Sequence, residues 1–170
     1  MTNEKKMIAI WAQTEDGIIG KNQTMPWYLP AELNHFKETT MGQAILMGRV
    51  TFDGMNRRKL PGRETLILTR DTNYSVEGVT VVHSIEEALN WFEQQEKTLY
   101  IAGGSAIYKA FEAYYDGLIK TTIHADIDGD AYFPSLDMKP FVQISERNIQ
   151  KDDKNPYDFT ISIFDKKEGD

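Results

Sequence analysis

Strand-like apolar runs alternate with helical stretches along most of this chain, and the last two segments are strands alone. MIAIWAQ, AILMG, ETLILTR, GVTVVHS, KTLYIAGG and GLIKTTIHADI read as strands. Between them a helix is expected from about Pro30 to Met41, with proline suited to the first turn and Gly42 to the exit. VTFDGMNRR reads as a short helix. SIEEALNWFEQQ reads as a longer one, with Ser84 and Glu87 as a capping box and Ile85, Leu89 and Phe92 on one face. SAIYKAFEAYY places Ile107, Phe111 and Tyr114 on one stripe. The closing runs, PFVQISERN and YDFTISIFDKK, alternate in period two and read as an antiparallel pair joined by a polar Asn/Pro loop. Successive parallel strands need a crossover, and the intervening helices supply it. The order therefore predicts an α/β fold whose mixed sheet is parallel in its middle and antiparallel at its C-terminal edge, with helices on both faces. In such sheets ligands lie outside the C-terminal ends of the strands.

The chain has 170 residues, 41% of them apolar, which suits one domain spanning residues 1–170 with a real core. A formal charge of −7 weighs against nucleic acid or an anionic membrane as the main partner, and no basic run overrides it. There are no cysteines, which removes disulfides and thiolate chemistry and fits a reducing interior. His35, His83 and His124 show no metal-ligand spacing, so no metal is expected. No run is long enough to span a bilayer, and a cytoplasmic, soluble protein is expected.

Three strand ends carry candidate anion chemistry. In LMGRVTF a strand stops at Gly48 and Arg49 opens a helix, which offers unpaired N–H groups and a positive charge. In YIAGGSAIY, Gly103 and Gly104 lack Cβ atoms where a strand meets a helix, so a diphosphate can approach the backbone. This is neither G-x-G-x-x-G nor G-x-S-x-G. In LILTRD, Thr69 and Arg70 close a strand, and an arginine there can pair with a phosphate through two bonds. Each also reads as an ordinary turn or surface arginine. A long, multiply phosphorylated cofactor along one sheet edge accounts for all three together.

In MPWYLPAELNHF, Leu29, Leu33 and Phe36 define a buried stripe by their spacing. Glu32 points only about 40° from Phe36, so a carboxylate sits on or beside that stripe. One account is a favourable contact with the helix dipole, since Glu32 is the third residue of the helix. The other is a carboxylate over a dry cleft, able to grip an N–C–N edge and to assist proton transfer.

These residues converge on a family. IAIWAQTEDGIIG, MPWYLPAEL, HFKETT, ILMGRVTF, LPGRETLILTR, IAGGSAIY and GDAYFP, in this order from about Ile8 to Phe164, resemble dihydrofolate reductase. The resemblance implies an eight-stranded, mostly parallel sheet with about four helices, and NADPH as donor of a hydride to C6 of 7,8-dihydrofolate with protonation at N5. It implies dihydrofolate or folate and antifolate inhibitors as small-molecule partners, and a monomer.

By resemblance, Glu32 holds the pterin N3 and 2-amino group and promotes protonation, Thr121 orients it, and Trp27 holds a water. The substrate contacts implied are Ile10, Trp11, Leu33, Phe36, Lys37 and Ala102, with the carbonyls of Ile10 and Ala102 accepting from the pterin and Arg63 binding the α-carboxylate. Lys37 meets the outer carboxylate. On the cofactor side, Ala12 and Ile19 meet the nicotinamide, with Tyr108 close to it as a further catalytic residue, and Ile18 and Gly20 are further cofactor contacts. Gly103, Gly104, Ser105 and Ala106 cradle the diphosphate, with Thr51 at the other helix start, and Val50 and Ile107 are further cofactor contacts. Arg49, Thr69 and Arg70 hold the 2′-phosphate, and the loop from Asp16 to Met25 is a mobile lid.

The chain departs from the family pattern in three places. Ala102 stands where many members have a third glycine, Ala131 follows Gly129-Asp130 where threonine is usual, and NRRKLPGR carries an extra residue, which leaves Arg57 and Arg58 without a substrate role. Two other readings are a different pterin or pyrimidine reductase and a non-catalytic cofactor-binding module. The Glu32–Arg63 pair argues against the first, and the set Glu32, Trp27, Thr121 against the second.

Overall fold

The computed structural model describes residues 5–22 and 24–168. Eight strands form one sheet. From edge to edge they are β5 (Thr80–Val82), β4 (Glu64–Leu68), β3 (Ala44–Gly48), β6 (Leu99–Ile101), β1 (Met7–Thr14), β7 (Gly117–Ile123), β10 (Phe159–Lys166) and β9 (Phe141–Ile149). The first six are parallel, and β10 and β9 run antiparallel at the C-terminal edge, as the segment order predicts. All five residues of β3 are buried, which is why AILMG reads as a continuous apolar run rather than an alternation.

Four helices connect these strands: α1 (Pro30–Thr40), α2 (Arg49–Gly54), α3 (Ile85–Glu93) and α4 (Ser105–Ala110). The crossovers β1-α1-β3 and β3-α2-β4 step toward the β5 edge, whereas β5-α3-β6 and β6-α4-β7 step back. Parallel crossovers share one hand, so a reversal of direction puts the two helix pairs on opposite faces. The core divides accordingly. Ala9 and Trp11 pack with Phe111 and Tyr115 on the α3/α4 face, while Ile10 packs with Leu29 and Phe52 on the α1/α2 face.

The reversal also splits the sheet. β1 pairs with β6 only from Met7–Leu99 to Ala9–Ile101, but stays with β7 as far as Thr14–Ile123. Past Ile101 the chain keeps to β3: Ala102 N–H donates to Leu46 O and Gly48 N–H to Gly103 O, both at 2.9 Å. A crevice therefore opens between β1 and β6 at their C-terminal ends, the switch point where such sheets take ligands.

Several boundaries differ from expectation. α2 stops at Gly54 because Asn56 and Arg57 take positive φ, 58° and 54°, which no helix continues. α4 ends at Ala110 and passes into a 3-10 turn, Glu112–Tyr114, which leaves Tyr114 exposed rather than on the apolar stripe. The alternation in β9 does not become burial. Val142 and Ile144 lie exposed on this edge strand, and Ile144 is the extra residue of a bulge opposite Ile163 and Phe164. On α3, Ser84 Oγ accepts from Glu87 N–H at 3.0 Å, as the capping signal predicts.

The expected lid loop is partly strand. β2 (Ile18–Gly20) pairs antiparallel with β8 (Ala131–Tyr132), Phe133 N–H donates to Gly17 O at 2.9 Å, and Asp130 N–H donates to Gly20 O at 3.0 Å. Within the expected lid, Gln23 lies outside the described residues. Gly129 is where this ribbon is tightest: a Cβ there would collide with the Ile18 side chain and come within 2.6 Å of Gly20 O. Gly129→Ala is expected to unpair the ribbon, seen in hydrogen exchange as lost protection of the Asp130 and Phe133 amides while β7 amides stay protected. Unchanged protection at both sites would show that the ribbon absorbs the methyl group.

Candidate active site

α1 begins where the chain leaves the crevice. Leu29 is extended and buried, Pro30 fixes the first helical φ, and Leu29 O accepts from the N–H groups of Glu32 and Leu33, both at 3.0 Å. The cap comes from far along the chain: Asn155 Oδ1 accepts from Ala31 N–H at 2.8 Å. Asn155 is itself held by Asp152, whose Oδ1 accepts from the Asn155 backbone at 2.8 Å and from its side-chain amide at 2.9 Å. The sequence reading gave Asn155 no role beyond a polar turn, and a D-x-x-N-P pattern is the signal that marks it.

The burial pattern of α1 corrects the expected stripe. Leu29 is buried and Phe36 half-buried, but Leu33 is exposed, and the buried residues of the helix are Glu32 and Thr40. The helix lies along an opening instead of sealing against the sheet, so its apolar face is only partly covered. Glu32 is 7% exposed, and no other carboxylate among the described residues is buried. Burial pushes its carboxyl above the ordinary value, and the Thr121 hydroxyl from β7 pulls the other way without prevailing. Trp27 is also buried, and its Nε1–H has no acceptor among the described residues. Trp27 shares one cluster with Ile10, Ala12, Phe36 and Ala102.

Tyr108 comes from the other side of the split. Its ring is buried, its hydroxyl donates to Ile10 O at 2.9 Å, and burial, with the Glu32 charge adding to it, keeps the phenol protonated. The carbonyl of Ile10 keeps a second lone pair free. Trp11 points the opposite way, stacked on Phe133 at 3.8 Å between ring centres, with its indole N–H donating to Gln13 Oε1 at 2.9 Å. Only its backbone remains for a ligand on the Glu32 side. Ile18 is buried, and Ile19 packs against the α3/α4-side core.

The starts of α2 and α4 lie side by side. The bond from Gly48 to Gly103 joins them, and a Cβ on Gly48 would come within 3.1 Å of Ile107. Gly103 has φ +112°, and a Cβ on Gly104 would come 3.4 Å from Thr51 Oγ1. The two glycines thus leave bare backbone facing a hydroxyl, which fits a diphosphate. Ser105 Oγ donates to Tyr132 O, tying α4 to the ribbon, while Ala106 and Val50 are exposed.

Thr69 directly follows β4, whose last residue, Leu68, pairs with Gly48 in front of Arg49. Arg70 beside it is exposed. Arg49 donates to Asp53 Oδ2 at 2.9 Å; Arg57 and the Tyr74 hydroxyl donate to Asp53 Oδ1 at 2.9 and 3.0 Å. Burial works upward on the Asp53 carboxyl, but bonds from Arg57, Tyr74 and Arg49 together hold it below the ordinary value. The sequence reading missed Asp53, although its place four residues from both arginines is a readable signal.

At the far end of α1, Lys37, Met41, Pro61, Gly62 and Arg63 line one hollow. Arg63 donates to Pro61 O at 3.0 Å and to Thr40 Oγ1 at 3.3 Å, which braces the guanidinium beside α1. Lys37 and Arg63 therefore come together as two cations at one opening. Among the described residues, no group of three or more His, Asp or Glu could hold a metal ion, and no helix is long and apolar enough to cross a membrane.

The raised pKa of Glu32 has a stability consequence with a definite sign. Between its unfolded and folded pKa the native state binds more protons than the unfolded chain, so stability falls as pH rises through that window. Glu32→Gln is expected to raise the urea midpoint at neutral pH, with the gain vanishing below the ordinary carboxyl pKa of 4.5. A variant less stable than the parent at neutral pH would mean that the carboxylate is a net stabiliser.

Comparison with known proteins places the fold in a family. The family model for dihydrofolate reductase matches residues 6–166. A dihydrofolate reductase of Lactococcus lactis is 50% identical over 163 residues, covering 94% of this chain and 97% of the relative. That of Bacillus subtilis is 35% identical over 158 residues, covering 93% of both. The structure of dihydrofolate reductase from Enterococcus faecalis complexed with NADP(H) and RAB-propyl superposes with a TM-score of 0.93 at 38% identity, covering 96% of this chain and 97% of that one. A chain with this split sheet, matched by that family along nearly its whole length, belongs to the dihydrofolate reductase family of oxidoreductases.

Proposed function

We propose that this protein reduces 7,8-dihydrofolate to tetrahydrofolate, with NADPH supplying the hydride to C6 of the pterin. The observation that carries the reading is the buried Glu32, hydrogen-bonded to Thr121 on β7, opposite the part of β1 that has left β6. A carboxylate with two oxygens matches the N3 and 2-amino edge of a pterin through two parallel bonds. Burial raises its proton affinity above that of an ordinary carboxylate, which favours a part in protonation at N5. Thr121 orients the carboxylate, and Trp27 donates to a water at its edge. The carbonyls of Ile10 and Ala102 accept from the pterin, Phe36 packs on the substrate, and the Lys37–Arg63 hollow takes its carboxylate end. The bare backbone at Gly103 and Gly104 with Thr51 takes the cofactor diphosphate, and Arg49, Thr69 and Arg70 take the 2′-phosphate. Tyr108, bonded to Ile10 O, forms the floor between cofactor and substrate. The β2–β8 ribbon shuts water from the reacting atoms.

The assay is loss of reduced-nicotinamide absorbance with dihydrofolate; a chain that binds both ligands without turnover would overturn the reading. Glu32→Gln is expected to slow hydride transfer at neutral pH by about 10²- to 10⁴-fold, the usual worth of a general acid, with partial recovery at lower pH as solvent protonates N5. Arg63→Gln is expected to raise KM for dihydrofolate by about 10- to 100-fold with kcat little changed, the pattern of a lost charge-assisted bond remote from the chemistry. A fall in kcat with KM unchanged would place Arg63 elsewhere in the mechanism.

A further inference from the structure

The flank of α1 that faces β9 and β10 carries a second opening, which none of the roles above uses. It is a half-open hollow of about 220 Å3 lined by Asn34, His35 and Glu38 from α1, Arg147 and Ile149 from β9, and Phe159 from β10. It is separate from the Lys37–Arg63 hollow at the end of the helix. The polar groups here divide into satisfied and unsatisfied. Asn34 donates to Glu38 Oε1 at 3.0 Å, so these two serve each other. His35 Nδ1 meets the Thr39 hydroxyl at 3.4 Å, but its Nε2 is buried without a partner. Arg147 forms no ion pair among the described residues. In the tautomer whose Nδ1 accepts from Thr39, and in the imidazolium, Nε2 carries a hydrogen that has no acceptor among the described residues, and such a group is costly to leave buried.

An unpaired ring nitrogen and an unpaired guanidinium thus border one hollow, with the Asn34–Glu38 pair at its rim and Ile149 and Phe159 along its apolar side. The two groups are electrostatically in touch. Burial and then the Arg147 charge lower the His35 pKa, and Glu38 opposes them. An anion between the two cancels the Arg147 effect and supplies the missing acceptor. The size suits a ligand of few heavy atoms, below the roughly 300 Å3 at which drug-sized pockets begin. Glu38 at the rim disfavours a dianion such as phosphate, and Ile149 with Phe159 favours an apolar body.

We propose that this hollow binds a small apolar carboxylate, with its oxyanion between His35 Nε2 and the Arg147 guanidinium and its body against Ile149 and Phe159. His35 lies one helical turn from Glu32, so an occupant presses on the helix that carries the buried carboxylate.

Benzoate is the probe, added to the full chain without substrate or cofactor, while the His35 ring and Arg147 Nε–H are followed by nitrogen-edited NMR. Saturable shifts at both groups are expected, with tighter binding at lower pH because the bound anion favours protonated His35 against the opposing charge of Arg147. Arg147→Gln, a change at an exposed site, is expected to weaken benzoate about tenfold or more while other amide shifts stay in place. Three results would overturn the proposal: benzamide binding as tightly as benzoate, shifts centred on Lys37 and Arg63 that survive Arg147→Gln, or no saturable shift at His35 and Arg147.

Discussion

β1 and β6 are hydrogen-bonded for three residues and then separate, because the chain after Ile101 stays with β3. A parallel sheet that opens in this way must satisfy the backbone groups it frees, since unpaired polar groups in a buried place are costly. Tyr108 meets part of that demand by donating to Ile10 O from α4. A carbonyl with two lone pairs can accept that bond and still offer itself to a heterocycle. The site follows from the split. Glu32, Trp27 and Phe36 arrive on the α1 side, Tyr108 and the glycine turn on the α4 side, and neither group would meet the other across a continuous sheet.

Glu32 is where stability and chemistry oppose each other. Its burial disfavours the charged form, and a Thr121 hydroxyl with the start of a helix offsets only part of that. Such a residue persists only if its surroundings over-determine its position. Here the helix start is fixed by buried Leu29, by Pro30, and by Asn155 from the loop between β9 and β10. The two accounts of Glu32 open at the sequence level are therefore compatible. The helix start helps to hold a carboxylate that the cleft makes expensive, and under the proposed function the unfavourable part is the one that reacts.

Segment order alone carried the parallel centre, the antiparallel edge and the use of both faces, because long apolar runs and crossover rules act over many residues. What it missed depends on contacts between distant segments. β2 and β8 have three and two residues, too few for a period, and exist only because Gly129 lets the two backbones approach. α2 ends early through backbone angles at Asn56 and Arg57 that their residue types do not demand. Leu33 sits in register with Leu29 and Phe36, yet periodicity cannot tell a sealed face from one bordering an opening. The site residues were legible only by resemblance, whereas Asn155 and Asp53 touch those residues or their helix through other groups and carried only the weak signal of their spacing.

Charge is the remaining puzzle, since a chain of net −7 is read as taking two anionic ligands. Surface charges farther apart than about 8 Å are largely screened at physiological ionic strength, so the nearest groups decide. At one end Lys37 and Arg63 share a hollow. At the other, Asp53 takes one donor from Arg49 and one from Arg57. That carboxylate does not cancel the site. A guanidinium has five donors, and binding one of them to Asp53 fixes the direction of the rest. The entropy of aligning Arg49 is then spent on folding, and under the proposed function an incoming phosphate would meet a guanidinium already held in place.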